Sequence, residues 1–213
     1  MNTKTLLSIA ITAIATIGCC QNSGIKTIAS ELLTSEETTV VQTATGKVAG
    51  YIEQGIYTYK GIPYAKAERF MAPQPADSWE GVRSSRAYGP TAPQEVRKGW
   101  ASDELGFSFA WNDGFPGEDC LRANVWTPGI NDGKKRPVMV WLHGGGYATG
   151  SGQELPSYDG ASPARKGDVV VVTVNHRLNV LGFLDLSSFG KEYAASSNAG
   201  LLDLVAALEW VRD

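Results

Sequence analysis

The sequence predicts an α/β fold in which a small antiparallel meander is followed by the first strands of a central sheet. The first observation is a series of short, alternating stretches between residues 40 and 59, which are typical of half-buried strands. The second is a pair of continuous apolar runs, at 138–142 and 169–174, followed by an amphipathic helix that begins near residue 198. Buried strands followed by such a helix are typical of a parallel sheet.

The N-terminus is predicted to be a targeting segment. Residues 1–19 look like a secretory signal, because Lys4 precedes an apolar stretch that is too short to span a bilayer comfortably. The stretch ends in a small residue and a cysteine, as in a bacterial lipoprotein signal, so Cys19 is a candidate for acylation and for a membrane tether. The alternatives are a plain signal peptide cleaved after Ala13 or Ala15, and an uncleaved anchor. The chain is therefore expected to be exported to the cell envelope or periplasm, or secreted.

The remaining N-terminal half combines a spacer, the meander and a long irregular region. Residues 20–39 are predicted to be a polar tether, and residues 40–213 to form the domain. The meander at 40–59 is punctuated by glycine turns. Residues 65–120 are rich in Pro, Gly, Ser and Trp with little periodicity, and irregular segments of such length are often functional. A strand is predicted at 121–126.

The C-terminal half alternates apolar strands with loops and helices. The run Val138–Leu142 has no polar alternation, so it is predicted to be buried on both faces. A loop at 147–163 and a short helix at 164–166 should then lead to the second apolar strand. Asn198 is a good N-cap for the last helix. The apolar face predicted for that helix consists of Leu201, Leu204, Val205, Leu208 and Val211.

Composition excludes several classes of function. The 213 residues include 19 basic and 22 acidic side chains with no basic block, which argues against binding to nucleic acid. Only two histidines occur, which argues against a histidine-rich metal site, and no cofactor is indicated. If Cys19 is acylated, the three cysteines leave no disulfide framework, and Cys120 is predicted to be a buried free thiol.

The most informative motif is the glycine loop His143–Tyr147, directly after the first apolar strand. Successive glycines after a buried strand present bare backbone that a ligand can approach closely. In α/β-hydrolases such a loop donates N–H groups to the oxyanion of an acyl-transfer intermediate. A simple tight turn is one alternative. A dinucleotide loop is another, but it requires a helix to begin at once, whereas turn-forming residues occupy 151–157.

A set of motifs in a fixed order gives a close family resemblance. The motifs start at Lys60, Arg69, Gly89, Glu118, His143, Val174, Asn198 and Ala207, and read KGIPYA, RF, GP, EDCLRANV, HGGGY, VNHRLN, NAGLLD and ALEWV. Together they resemble the type-B carboxylesterase family of α/β-hydrolases, which includes cholinesterases and bacterial para-nitrobenzyl esterases. The resemblance implies the N-terminal portion of an α/β-hydrolase fold that hydrolyses small-molecule carboxylic esters.

The resemblance also implies roles for the glycine loop. The N–H groups of Gly145 and Gly146 are expected to point at the oxyanion, while His143 and Gly144 support the loop. Neither His143 nor His176 is expected to be the catalytic base, because the family order is serine, acid, then histidine. His176 stands where the family usually has Tyr, and a structural role is expected for it.

The nucleophile, acid and base are not found in these residues. No Gly-x-Ser-x-Gly motif occurs, and the nearest imitation, centred on Ser162, does not follow a strand. Pro163 also lacks the N–H that the residue after the nucleophile must donate. We therefore expect the triad to lie beyond Asp213 and the printed chain alone to be inactive. The alternative is a non-catalytic, surface-tethered binding protein of the same family, or a remnant.

Two departures from the family concern the irregular region. Ala92 stands where disulfide-bearing members have the cysteine that pairs with the equivalent of Cys120, so no such disulfide is expected. The region also contains aromatic residues that resemble the loop beside the family's active-site gorge. They are expected mainly to pack the loop, with an aromatic wall for an acyl or aryl group as the alternative; they are Trp100, Phe107, Phe109, Trp111 and Phe115.

Overall fold

A computed structural model describes residues 32–95, 103–112 and 114–213. The proposed signal, Cys19 and Trp100 lie outside these residues. Within them the chain forms eleven strands: β1 (Leu32–Leu33), β2 (Val40–Gln42), β3 (Lys47–Ala49), β4 (Tyr51–Glu53), β5 (Ile56–Pro63), β6 (Ala65–Lys66), β7 (Gln74–Pro75), β8 (Val82–Ser84), β9 (Arg122–Thr127), β10 (Val138–Leu142) and β11 (Val170–Val174).

The helices of the described residues lie mostly in the C-terminal half. They are α1 (Glu36–Thr39), α2 (Asp103–Ser108), α3 (Ala161–Gly167), α4 (Asn179–Phe183) and α5 (Ala199–Arg212). Short 3₁₀ turns occur at Pro156–Tyr158, Ser187–Phe189, Lys191–Tyr193 and Ser196–Asn198. The predicted short helix at 164–166 therefore begins three residues earlier than expected. The last helix begins where the sequence predicted, although the Asn198 side chain makes no capping hydrogen bond.

The main sheet has six strands in the order β1-β4-β5-β9-β11-β10. Its first five strands are paired antiparallel, and only β10 and β11 pair in parallel, with Leu142 opposite Val174. The predicted meander is thus confirmed, but the described part of the sheet is mixed rather than parallel. Two smaller sheets, β2-β3-β8 and β6-β7, flank it.

The core lies on both sides of the main sheet. One cluster joins the strands to α5 through Leu121, Val172, Leu178 and Ala207. Trp126, which is 1% exposed, packs with Val171 against α3 on the other side. Cys120 is a free, fully buried thiol, as predicted, and it shares the first cluster with Ala92.

Strand β10 is more exposed than its sequence predicted. Val138, Met139, Trp141 and Leu142 each expose 42–51% of their surface. The strand lies at the edge of the described sheet, so no described neighbour covers its outer side. The prediction that this run is buried on both faces is wrong for the described chain.

Helix α5 buries only part of the face that the sequence predicted. The buried residues are Ala199, Gly200, Asp203 and Ala207, whereas Leu201, Val205 and Leu208 are 40–49% exposed. The physical reason is a close approach: a Cβ on Gly200 would lie 2.6 Å from the Arg177 carbonyl oxygen. Small side chains therefore occupy this contact, while Leu204 and Val211 of the predicted face are partly buried and pack against the core.

Residues before residue 40 also take part in the described fold. Leu33 pairs with Ile52 through β1 and β4, and Thr39 at the end of α1 is fully buried. The last eight residues of the predicted tether thus belong to the described fold.

No helix among the described residues is both long and apolar enough to cross a membrane.

Candidate functional site

The glycine loop leaves the C-terminal end of β10 in a backbone conformation that depends on glycine. Gly145 and Gly146 have φ of 122° and 62°, in the region that most side chains avoid, and Tyr147 follows at 60°. The Gly145 carbonyl accepts hydrogen bonds from the N–H groups of Ala148 and Thr149, at 3.1 and 3.2 Å. The chain therefore reverses direction tightly after the strand.

The glycines of the loop and the nearby Gly150 have distinct steric roles. A Cβ on Gly145 would lie 1.9 Å from the Thr149 carbonyl oxygen, and one on Gly150 would lie 2.3 Å from that of Gly144. These two positions have no room for a side chain. At Gly144 and Gly146, by contrast, a Cβ would meet no atom within 4 Å, so the space beside them is open.

The N–H groups of Gly145 and Gly146 hydrogen-bond to no acceptor in the described part of the chain. Backbone N–H groups are strong donors, and nearly all find a partner in protein, water or ligand. Two adjacent donors without a described acceptor, one of them beside open space, can hold an oxygen atom that carries negative charge.

His143 begins the loop and is oriented by two contacts. Its Nδ1 lies 2.8 Å from the Gly144 carbonyl oxygen, and its ring stacks on His176 with centroids 5.0 Å apart and planes 20° apart. Because a carbonyl only accepts, Nδ1 is the protonated nitrogen of the neutral ring. Burial, with His176 beside it, lowers the pKa of His143 to about 4. The ring is therefore uncharged at neutral pH.

The segment that follows β11, together with Gln94, holds the glycine loop and the residues after it by hydrogen bonds. The Asn175 side chain accepts from the Gly152 N–H at 2.8 Å, and the Asn179 N–H donates to the Tyr147 carbonyl at 2.7 Å. The side chain of Gln94 accepts from the Gly150 N–H at 2.7 Å and donates to its carbonyl at 2.9 Å. Sequence reasoning gave these side chains no role. For Asn175 the available signal was an amide directly after a buried strand.

A buried ion pair fixes the same segment to α5. Arg177 and Asp203 side chains are 6% and 0% exposed. Asp203 accepts from Nε, Nη2 and the backbone N–H of Arg177, at 2.8, 2.7 and 3.0 Å. The guanidinium also donates to the carbonyls of Glu68, Met71 and Ala199. This arginine therefore joins the irregular region, the loop support and α5.

Three of the aromatic residues of the irregular region are exposed. Phe107, Phe109 and Phe115 are 88%, 53% and 57% exposed, whereas Trp111 is partly buried. The region is anchored to the segment that follows the glycine loop, because the Asn112 N–H donates to the Glu154 carbonyl at 2.8 Å. The expectation of simple loop packing is wrong for Phe107 and Phe115.

Ser162 lies away from the glycine loop, in accord with its rejection as a nucleophile. It is exposed on α3 and lines a surface depression with Tyr51 and Trp126, to which no glycine-loop residue contributes. Across the described residues, no group of three or more His, Cys, Asp or Glu side chains is arranged to hold a metal ion.

Comparison with known proteins gives a consistent set of matches. The model of the carboxylesterase family matches residues 37–213. The chain is 47% identical over 180 residues to para-nitrobenzyl esterase of Bacillus subtilis (strain 168), and 44% identical over 180 residues to phenmedipham hydrolase of Pseudarthrobacter oxydans. Each alignment covers 82% of this chain and 34% of the relative.

A solved structure with a high similarity is an esterase from anaerobic Clostridium hathewayi that can hydrolyse aliphatic aromatic polyesters. It matches with a TM-score of 0.81 and 46% identity, over 87% of this chain and 36% of that one. The present chain thus spans about a third of the length of the relatives it matches.

Proposed function

Because this chain belongs to the carboxylesterase family, we propose that it forms the N-terminal part of an enzyme that hydrolyses carboxylic esters. The observation that carries the proposal is the pair of N–H groups of Gly145 and Gly146, which have no acceptor among the described residues, with open space beside Gly146. We assign these two groups to the oxyanion hole.

The proposed chemistry is acyl transfer to a serine. Attack of the serine oxygen on the ester carbon turns the carbonyl oxygen into an oxyanion, which the two N–H groups stabilise. Collapse of the intermediate releases the alcohol, which takes up the proton that a histidine removed from the serine, and water then cleaves the acyl-enzyme. Loss of one oxyanion donor typically lowers turnover by about 10²–10³.

His143 and Gly144 serve as support in this proposal rather than as chemical groups. The His143 ring is neutral near pH 7 and donates to the Gly144 carbonyl, so it fixes the first peptide of the loop. The charge stabilisation then comes from backbone dipoles, which need no reorganisation during the reaction.

The serine, acid and base of this mechanism come from residues beyond Asp213. No Gly-x-Ser-x-Gly motif occurs in the 213 residues. The relatives are about three times as long as the matched region, which leaves room for the rest of the machinery. Reading the coding sequence past the codon for Asp213 tests this part: an open frame that reaches the motif supports it, and a stop codon in intact DNA favours a binding protein without catalysis.

The exposed phenylalanines 107, 109 and 115 support an apolar wall for the acyl or aryl part of a small ester. Exposed aromatic side chains in a region that is hydrogen-bonded to the segment after the glycine loop fit the lining of a ligand pocket. Phe107 is the most exposed of the three, and Phe107→Ala should raise KM for an aryl ester more than it lowers kcat.

The N-terminus is proposed to export the protein and to tether it by acylation of Cys19. Fractionation of producing cells tests this. Wild-type protein in the membrane fraction, with a Cys19→Ser variant released from it, supports acylation. Wild-type protein found only in the soluble fraction contradicts it.

The main test is hydrolysis of a para-nitrophenyl ester by the whole natural protein, measured as the release of para-nitrophenol. Turnover that stops after treatment with a serine-directed organophosphate supports the proposal. Binding of the ester without turnover, in a protein that includes the Gly-x-Ser-x-Gly motif, overturns it and favours the binding protein.

A further inference from the structure

One ring contacts both residues that flank the three glycines. His143 precedes the glycines and stacks on the His176 ring at 5.0 Å, and Tyr147 follows them and meets the same ring edge-on at 6.4 Å. The parallel register of β10 and β11 places these segments together, since Leu142 lies opposite Val174. The ends of the loop are therefore held by a residue 33 positions from its first one in the sequence.

We propose that His176 is a positioning residue that clamps the two ends of the glycine loop and so holds the N–H groups of Gly145 and Gly146 in place. The inference rests on the proposed function, because holding these N–H groups matters for catalysis only if they bind an oxyanion. His176 does not reach the reacting atoms in this account, and it acts only through His143 and Tyr147.

The His176 ring is itself fixed, as a clamp must be. It is 3% exposed, and its Nδ1 lies 2.9 Å from the Arg177 carbonyl oxygen. Arg177 is in turn held by the buried Asp203. The ring therefore has little freedom to move. Because Asp203 lies on α5, the packing of α5 fixes Arg177 and, through it, the His176 ring.

The loop's own hydrogen bonds hold the carbonyls of Gly144 and Gly145, but the N–H groups of Gly145 and Gly146 bind no described acceptor, so contacts from outside the loop help to fix them. Gly144 and Gly146 have open space around them, and glycine gains more conformational freedom than any other residue when a contact is lost. Tyr147 also holds a positive φ of 60°, which a non-glycine residue keeps only when its surroundings enforce it. The contacts of Tyr147 with His176 and Phe183, and its hydrogen bond with Asn179, supply that enforcement.

The test compares His176→Leu, which removes the ring, with His176→Phe, which keeps an aromatic face. In the whole protein we expect His176→Leu to lower kcat for a para-nitrophenyl ester about 10- to 100-fold with KM changed less than about threefold, because misplaced donors affect the transition state most. His176→Phe should restore kcat to within about threefold of the wild type.

Leu178→Ala is the matched control. Leu178 is 1% exposed on the same segment and packs into the core. It should lower the unfolding midpoint while kcat stays near that of the wild type. If Leu178→Ala and His176→Leu lower kcat alike, His176 is merely structural and the inference is overturned.

Hydrogen exchange gives a readout that does not depend on activity. Amide exchange in peptides that cover residues 143–150 should become faster in His176→Leu and remain near wild type in His176→Phe and Leu178→Ala. If the wild type hydrolyses no ester, the proposed function fails, yet this exchange pattern still supports the clamp. Unchanged exchange in His176→Leu overturns the clamp even where the wild type is an active esterase.

Discussion

Replacing Asp203 with Ala should destabilise the fold strongly, because it leaves the buried Arg177 without its counter-ion. Asp203 is fully buried and accepts three hydrogen bonds, all from Arg177. Removing one partner of a buried pair typically costs about 3–5 kcal/mol. Three carbonyl oxygens still accept from the guanidinium after the change, so we place the loss near the lower end, about 3 kcal/mol. The folding equilibrium constant then falls roughly 10²-fold.

The assay is urea unfolding followed by tryptophan fluorescence, with Glu118→Gln as the matched control. Glu118 also pairs with an arginine, Arg69, through two hydrogen bonds, but their side chains are 46% and 65% exposed. Solvent screens such a pair, so the control should unfold at nearly the wild-type urea concentration. Equal midpoints for Asp203→Ala and Glu118→Gln would refute the reasoning, because burial would then have no effect on the cost.

Three further predictions concern pH, thiol reactivity and association. Burial lowers the pKa of His143 from its ordinary 6.5 to about 4, so the unfolded chain takes up a proton at a higher pH than the folded chain does. The stability that this gives above pH 6.5 is lost as the pH falls towards 4. Thermal melts should show the unfolding midpoint falling over this pH range, and the fall should be smaller in His143→Gln. Burial raises the pKa of the Cys120 thiol to about 12, so iodoacetamide at pH 8 should label its peptide only in urea; labelling of the native protein speaks against this burial. Residues 32–213 expressed alone should self-associate through the exposed edge of β10, and Met139→Lys should reduce this; a monodisperse, cooperatively melting wild-type monomer contradicts it.

Local patterns in the sequence predicted the elements that depend on neighbouring residues. The meander strands, the two apolar strands and the start of α5 lie within a few residues of their predicted positions. The conformation of the glycine loop was also foreseeable, since three glycines after a strand have few other uses. The predicted family is confirmed, because a set of ordered motifs is far more specific than any one of them.

The features that the sequence did not predict depend on which elements meet in space. Periodicity identified an apolar stripe on α5 but could not show that Gly182 and Gly200 draw α4 and α5 so close that small residues line the contact. The apolar character of β10 was clear, but its place at the edge of the described sheet follows from strand order. The stack of His143 on His176 needs the register of two parallel strands, which no local pattern encodes.

The central claim is that the glycine loop stabilises an oxyanion, and comparison of two glycine variants tests it most directly. Gly146 and Gly133 both have positive φ, at 62° and 74°, and a Cβ on either would meet no atom within 4 Å. Alanine at either position should therefore cost a similar strain, about 1–2 kcal/mol. Only Gly146→Ala places a methyl group where the ester oxygen is proposed to bind.

The measurement is kcat/KM for a para-nitrophenyl ester with the two variants in the whole protein. We predict a fall of at least about tenfold for Gly146→Ala and a value near wild type for Gly133→Ala, with equal losses of stability. Equal kcat/KM for the two variants would contradict the account, because the loop would then be no more than a tight turn.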